Sequence, residues 1–209
     1  TTVFFQIPDV RKVLKNLGFW DIYYEHCSYF SPVSLKNLFI KAGFNILDIY
    51  NVYEDQYLVI EARPVENASL SSPLQPVEDV KEIYRLVSYF SSEIRKRFKR
   101  WMEKIKSLNS SGKKIVLWGG GSKAVSFLTT LGIKDEIKYA VDINPFKHGK
   151  FIAGTGQEVV SPEFLKEYKP DIVFLMNSIY FDEVQSRLKS MDLHPEIIPM
   201  AGEPENKEN

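Results

Sequence analysis

Cysteine is almost absent from this chain, since Cys27 is its only one. A single thiol excludes an intrachain disulfide framework and a cysteine-rich zinc site, and we expect no metal. An excess of charge is lacking too, because 27 Lys and Arg balance 27 Asp and Glu. We therefore expect neither nucleic acid nor a membrane surface as a partner. With no bilayer-length apolar run and no secretory leader pattern, a cytoplasmic location is expected.

The rest of the composition is typical of a soluble globular protein, with 44% hydrophobic and 26% charged residues in a length of 209. That length allows one large domain or two small ones. Proline and serine gather in residues 64–77, which predicts a linker there. We therefore expect a first module at 1–63 and a second at 78–200, followed by a disordered polar tail at 201–209.

Local patterns predict the elements of both modules. Ser31 and Pro32 are typical of a helix start, and Gly43 is typical of a helix end. Strands are predicted at 44–50 and 56–62, where apolar and polar residues alternate. From 78 to 108, apolar residues recur at spacings of three and four, which predicts one long helix.

Strands and helices alternate through the rest of the second module. Strands are predicted at 115–118, 137–141, 172–176 and 196–198, and longer helices at 122–131 and 180–189. This order predicts a parallel sheet with right-handed crossovers, that is, an α/β Rossmann-like domain.

A phenol, a carboxylate and an imidazole stand almost side by side in the first module, at Tyr23, Glu25 and His26. Histidine titrates near neutral pH, a neighbouring carboxylate can orient its ring, and a phenol can stabilise a developing oxyanion. These three residues are therefore candidate catalytic groups. The alternative is structural, with a helix-capping glutamate and a core histidine packed among aromatic residues.

A glycine-rich turn opens the helix predicted at 122–131. Gly119, Gly121 and Ala124 satisfy G-x-G-x-x-A, and Asp142 ends the next strand about twenty residues later, as a dinucleotide site requires. The predicted phosphate- or nucleotide-binding residues are Gly119, Gly120, Gly121, Ser122, Lys123, Asp142 and Asn144. The alternative is a turn that needs small residues only for packing.

Basic and aromatic residues are interleaved at 95–101, inside the long predicted helix. Such a pattern invites a nucleic-acid function. Phe98 and Trp101 belong to the apolar stripe of the helix, so the charges are expected on its solvated face. We therefore expect no nucleic-acid partner here.

Two segments resemble a signature of class I S-adenosylmethionine-dependent methyltransferases, in particular the C-methyltransferases of nucleotide-linked keto-deoxysugars. One is the Y-x-E-H stretch at 23–26 with the residues up to Phe44. The other is V-D-I-N-P-F-K-H-G-K at 141–150 with Gly154 and Thr155. The resemblance implies that 1–63 is the C-terminal remnant of a methyltransferase α/β domain, joined by the linker and the long helix to the family's Rossmann-like C-terminal domain.

The resemblance also implies a mechanism. His26 is expected to remove a proton from the carbon next to a ketone of a small-molecule acceptor, which would be a nucleotide sugar. Glu25 would orient His26 and Tyr23 would assist the charged state. The cofactor of the full-length enzyme would be S-adenosylmethionine.

The chain departs from the family at three places. The glycine-rich S-adenosylmethionine loop and the family's zinc-binding cysteine cluster are missing, so the chain is expected to be a C-terminal fragment that binds the cofactor incompletely and is inactive alone. The sugar-specific H-G-G-S-L-R stretch is replaced by E-D-Q-Y-L at 54–58. This replacement leaves the acceptor open, and with it methylation at carbon, oxygen or nitrogen.

Two other functions fit the residues. One is a stand-alone NAD(P)-binding Rossmann module, which the glycine turn and Asp142 favour. The other is a non-catalytic nucleotide-binding or packing domain that forms a homodimer through the long helix.

Overall fold

A computed structural model describes residues 1–65 and 78–200, and the chain packs as two compact units. The first unit comprises Thr1–Gly18 and Tyr24–Ile94, and the second comprises Phe19–Tyr23 and the chain from Arg95 onward. Residues 66–77 of the predicted linker and the predicted tail at 201–209 lie outside the described residues. The domain boundaries read from the sequence therefore stay a prediction.

The described residues form six α-helices and eight strands, with short 3₁₀ helices between some of them. The helices are α1 Val10–Lys15, α2 Pro32–Lys41, α3 Glu78–Ser110, α4 Ser122–Leu131, α5 Leu165–Tyr168 and α6 Phe181–Ser190. The strands are β1 Val3–Pro8, β2 Phe44–Val52, β3 Tyr57–Pro64, β4 Ile115–Trp118, β5 Tyr139–Val141, β6 Glu158–Val160, β7 Ile172–Leu175 and β8 Glu196–Pro199.

The first unit contains a three-stranded antiparallel sheet in the order β1-β3-β2, with α2 packed against it. The side chain of Ser31 accepts from the Ser34 N–H and that of Ser34 accepts from the Ser31 N–H, which forms a capping box in front of Pro32. Such a cap stabilises a helix by about 1 kcal/mol. The predicted helix start is confirmed.

The turn between β2 and β3 has an unusual backbone. Tyr53, Glu54 and Asp55 all have positive φ, between 53° and 62°. Residues with side chains seldom adopt this left-handed conformation. Lys12 supports the turn, since its amine donates to the Glu54 carbonyl at 2.7 Å. The stretch that departs from the sugar-specific family pattern therefore lies in this turn and at the start of β3.

The second unit contains a five-stranded parallel sheet in the order β6-β5-β4-β7-β8. This arrangement confirms the predicted Rossmann-like α/β fold. Every residue of β4 and β7 is buried, because helices cover both faces of such a sheet. The direction of strand order reverses between β4 and β7, and open α/β sheets bind ligands beyond the carboxyl ends of the strands at such a point.

The basic stretch of α3 corrects one prediction. Arg97 is only 4% exposed, its guanidinium lies 5.1 Å from the centre of the Trp20 ring, and it donates to the Met200 carbonyl at 2.9 Å. The expectation that the charges of this stretch all face solvent is therefore wrong for Arg97. The helical repeat explains why, since Arg97 precedes the buried Trp101 by four residues and shares its face.

Candidate functional site

The glycine turn lies where the sequence predicts it, between the end of β4 and the start of α4. Gly119 has φ +111°, and a Cβ on it would stand 3.3 Å from the Cβ of Met176, the residue that follows β7. A side chain at this position would therefore be strained and crowded. The turn lies at the switch point of the sheet, with Gly119 close to Met176 just after β7.

Asp142, at the carboxyl end of β5, lies directly against this turn. Its Oδ2 accepts from the Gly120 N–H at 3.1 Å and from the Lys147 amine at 2.8 Å. Its Oδ1 accepts from the Asn144 N–H at 2.9 Å. Both carboxylate oxygens are thus engaged within the chain. The structure brings together three predicted site residues, Gly120, Asp142 and Asn144.

The electrostatics of Asp142 follow from these contacts. Its side chain is only 11% exposed. Burial by itself raises the pKa of Asp142, but the hydrogen bonds from Lys147, Asn144 and Gly120, together with the charge of Lys147, lower it below its ordinary value. The group is therefore a carboxylate at neutral pH, paired with an ammonium ion.

The loop after β5 is fixed by its own side chains. The Oδ1 of Asn144 accepts from the Phe146 N–H at 3.0 Å, which caps the 3₁₀ turn Pro145–Lys147. The Nε2 of His148 donates to the Asp142 carbonyl at 2.7 Å. Asn144 and His148 thus have clear structural roles, and Lys147 is paired with Asp142.

The start of α4 offers anion-binding groups. Its N-cap residue is Gly121, which has no side chain that could accept hydrogen bonds from the N–H groups of the first turn. The Lys147 amine lies over the turn, 4.0 Å from the position of a Cβ on Gly121. A phosphate could be held by the N–H groups of this turn, the Ser122 hydroxyl and the Lys147 amine.

Lys123 does not join this cluster. Its Nζ lies 3.1 Å from the Oδ1 of Asp21, and the two side chains are 22% and 18% exposed. Sequence reasoning missed Asp21. The signal that could have found it is a carboxylate directly after the buried Trp20 and just ahead of the Y-x-E-H stretch.

The unit boundary divides the Y-x-E-H stretch in sequence, since Tyr23 belongs to the second unit and the residues from Tyr24 belong to the first. Tyr23 and His26 are half-buried, Glu25 is exposed, and Tyr24 is 90% exposed. The His26 ring lies edge-on to Tyr29, with 6.0 Å between ring centres. The imidazole is therefore not sealed in a core, and its predicted catalytic role stays a prediction.

In residues 1–65 and 78–200, no group of three or more His, Cys, Asp or Glu side chains is placed to hold a metal ion. In the same part of the chain, none of the helices has the length and apolar character needed to cross a bilayer.

Comparison with known proteins identifies relatives of the chain. The profile described as the C-methyltransferase C-terminal domain matches residues 74–194. Among curated proteins, the chain is 26% identical over 192 residues to the C-methyltransferase NovU of Streptomyces niveus. The alignment covers 87% of this chain and 45% of that relative, so the chain spans less than half the length of the curated relative it matches.

Proposed function

Because the chain belongs to the C-methyltransferase C-terminal domain family, we propose that it forms the C-terminal part of an S-adenosylmethionine-dependent methyltransferase. The family match, which covers most of the second unit, is the observation that carries this proposal. The acceptor is a small molecule with a ketone, linked to a nucleotide, and methylation takes place at the carbon beside that ketone.

The edge of the first sheet supports this proposal. Among the described strands, β1 pairs only with β3 and so lies at the edge of the sheet. Phe4 and Phe5 are 58% and 51% exposed on it. An edge strand with large exposed apolar side chains is suited to pair with a further strand. In this proposal, the three strands complete a larger methyltransferase sheet formed by the rest of the enzyme.

The described residues of this chain do not provide a complete S-adenosylmethionine site. The strands of the first unit are antiparallel, and no glycine-rich strand-to-helix turn lies among its described residues. The glycine turn of the second unit is occupied in part by the carboxylate of Asp142. The cofactor, which supplies an electrophilic methyl group, is therefore assigned to the part of the enzyme that this chain does not include.

In this proposal, the glycine turn binds the diphosphate of the acceptor. The N–H groups at the start of α4 lie where a helix N-terminus stabilises an anion, and Ser122 is the first residue of that helix. Gly119 and Gly120 let the backbone approach the phosphate, while Asp142 and Asn144 hold the loop that carries the Lys147 amine over the turn. Lys147 thereby supplies a positive charge that offsets the repulsion between the Asp142 carboxylate and the phosphate.

The proton is removed by His26. A neutral imidazole takes the proton from the carbon next to the ketone, and the electron pair of that C–H bond moves to the carbonyl oxygen, forming an enolate. Tyr23 donates a hydrogen bond to the enolate oxygen, and Glu25 stabilises the imidazolium that results. The half-buried position of His26 supports this role, because the ring is held by packing and is still accessible.

Hydrogen exchange at carbon tests this step without any methyl transfer. The complete enzyme is incubated with a nucleotide-linked keto-sugar in D₂O, and NMR follows deuterium entering the position beside the ketone. His26→Asn should slow the exchange by about 100-fold or more. The matched control is His194→Asn, whose ring is 70% exposed between α6 and β8 and should exchange as the wild type does. Equal exchange by His26→Asn and the wild type would exclude His26 as the base.

Ligand binding separates the proposed function from the NAD(P)-binding alternative. In the NAD(P) alternative, Asp142 would hold a ribose hydroxyl pair, but both of its oxygens already accept hydrogen bonds from the chain. Thermal unfolding of the 209-residue chain is measured with uridine or thymidine diphosphate, NAD and NADP. Stabilisation by a nucleoside diphosphate supports the proposal, whereas selective stabilisation by NAD or NADP would replace it.

A further inference from the structure

The short segment Phe19–Tyr23 packs with the second unit although more than seventy residues separate it from the rest of that unit. The Phe19 ring is buried against Phe127 of α4 and Phe98 of α3, with ring centres 5.9 Å and 4.8 Å away. Trp20 is buried beside the guanidinium of Arg97. These apolar contacts attach the segment that leads directly into the Y-x-E-H stretch.

Two polar side chains of α4 fix the backbone of the same segment. The Ser126 hydroxyl lies 3.2 Å from the Phe19 carbonyl oxygen and 3.1 Å from that of Ile22, and the residue is only 4% exposed. Lys123 lies one helical turn earlier on the same face and forms the ion pair with Asp21. Asp21 is two residues from Tyr23, so the pair acts close to a proposed site residue.

We propose that Asp21 and Lys123 are positioning residues that hold Tyr23 and the start of the Y-x-E-H stretch on the helix that follows the glycine turn. The inference rests on the proposed function, because Tyr23 then has to be placed for proton transfer at the acceptor bound by that turn. Lys123 thereby serves the reaction through Asp21, while the acceptor phosphates are held by the turn itself and Lys147.

The geometry gives this pair more weight than an exposed ion pair. Both side chains are about four-fifths buried, so their attraction is screened less than at the surface. The pair is also backed by Ser126, which ties two carbonyls of the segment to α4. Loss of one partner would leave a partly buried charge and allow the segment to shift. A shift of about 1 Å at a reacting group can lower a rate by about a hundredfold.

Kinetics of the complete enzyme test this role. Asp21→Asn and Lys123→Met should each lower kcat by about tenfold to a hundredfold, with the acceptor KM changed by less than about threefold. The double variant should be no worse than either single one, because both remove the same contact. Lys123→Arg should restore most of kcat. Lys113→Met, which breaks the Lys113–Asp171 pair elsewhere in the unit, is the matched control.

The opposite role for Lys123 gives a different pattern. If its amine binds the acceptor phosphate, Lys123→Met should weaken binding of uridine or thymidine diphosphate, whereas Asp21→Asn should leave binding unchanged or strengthen it. That outcome would overturn the inference. Wild-type kinetics for both single variants would overturn it as well.

Amide hydrogen exchange of the 209-residue chain gives a second readout that needs no activity. The amides of residues 19–26 should exchange about tenfold faster in Asp21→Asn and Lys123→Met than in Lys113→Met, a change equivalent to about 1.4 kcal/mol of local stability. Faster exchange in an enzyme that transfers no methyl group would keep the attachment and reject the proposed function. Unchanged exchange in an active enzyme would reject the inference alone.

Discussion

Two aspartates at opposite ends of the parallel sheet use the same chemistry in different surroundings. Asp171 stands at the amino end of β7, where it accepts from the Lys114 N–H at 2.8 Å and from the Lys113 amine at 3.0 Å. Asp142 stands at the carboxyl end of β5 and accepts from two backbone N–H groups and the Lys147 amine. Their side chains are 37% and 11% exposed.

The two ends differ in how strongly burial opposes the effect of the hydrogen bonds on the pKa of the aspartate. At Asp171, the hydrogen bonds from Lys114 and Lys113 lower the pKa with little opposition from burial. At Asp142, burial raises the pKa and the hydrogen bonds have to overcome it. A carboxylate that stays charged while it is nearly buried depends on all of its hydrogen-bond donors. We infer that the carboxyl end depends on its network far more than the amino end does.

The glycines that adjoin the two ends should show the largest contrast. Gly119→Ala is expected to lower the free energy of unfolding by about 3 kcal/mol, because φ +111° is strained for alanine and its Cβ crowds Met176. Gly112→Ala, before β4, should cost about 1 kcal/mol, since its φ is +71° and nothing lies within 4 Å of the added Cβ. Urea unfolding of both variants measures the difference. Equal losses would show that Met176 yields and that backbone strain alone decides.

The second-largest loss of stability is expected at Asp142, the aspartate at the carboxyl end of the sheet. Asp142→Asn should lower the free energy of unfolding at pH 7 by about 1–3 kcal/mol, because a buried group loses charge-assisted hydrogen bonds and leaves Lys147 without its counter-ion. Lys147→Met should give a loss of similar size. The double variant should lose less than the sum of the two, as expected for residues in contact. Additive losses would mean that the two side chains act independently.

The same variant gives a pH dependence with a defined sign. The folded-state pKa of Asp142 is lowered, so its carboxylate stabilises the fold above the unfolded pKa of about 3.9. That stabilisation is lost as the pH falls from this value through the lower folded pKa. The gap between wild type and Asp142→Asn should therefore be constant from pH 7 to about pH 5 and should close in more acidic solution. A gap that stays constant down to pH 2.5 would contradict the assignment.

The smallest effect is expected at the amino end. Asp171→Asn should lower the free energy of unfolding by at most about 1 kcal/mol, as for other solvent-exposed ion pairs. Salt should weaken this contribution more than that of Asp142, because screening acts on exposed charges first. Unfolding curves at low and high salt for both variants test the comparison. If Asp171→Asn is as damaging as Asp142→Asn, burial is not what separates the two ends.

The fold of the second unit could be predicted well from the sequence. The predicted bounds of β4 and α4 are confirmed, because a buried strand, a glycine turn and Gly132 in the left-handed conformation mark them clearly. The strand β6 was missed. It has three residues and lies at the edge of the sheet, too short to leave a recognisable repeat. The family resemblance is confirmed by the match to residues 74–194.

The sequence predicted which residues lie at the site but not how their side chains contact one another. The sequence placed Asp142 near Gly120, since strand ends share one edge of a parallel sheet. It could not show that the carboxylate binds the turn itself, because that depends on how the following loop folds back. The contact of Lys123 with Asp21 was equally hidden. The two residues are about a hundred positions apart in the sequence, and no local sequence pattern indicates a contact over that separation.

The open edge of β1 bears on how the 209-residue chain behaves in concentrated solution. No described strand pairs with the outer side of β1, and this side together with the two exposed phenylalanines is a template on which other copies can add strands. The 209-residue chain alone is therefore expected to aggregate as its concentration rises, and Phe4→Lys should delay this aggregation. If a further strand covers β1 in the proposed full-length enzyme, light scattering of that longer protein should show no such growth. Turbidity then becomes a simple report on whether the sheet is complete.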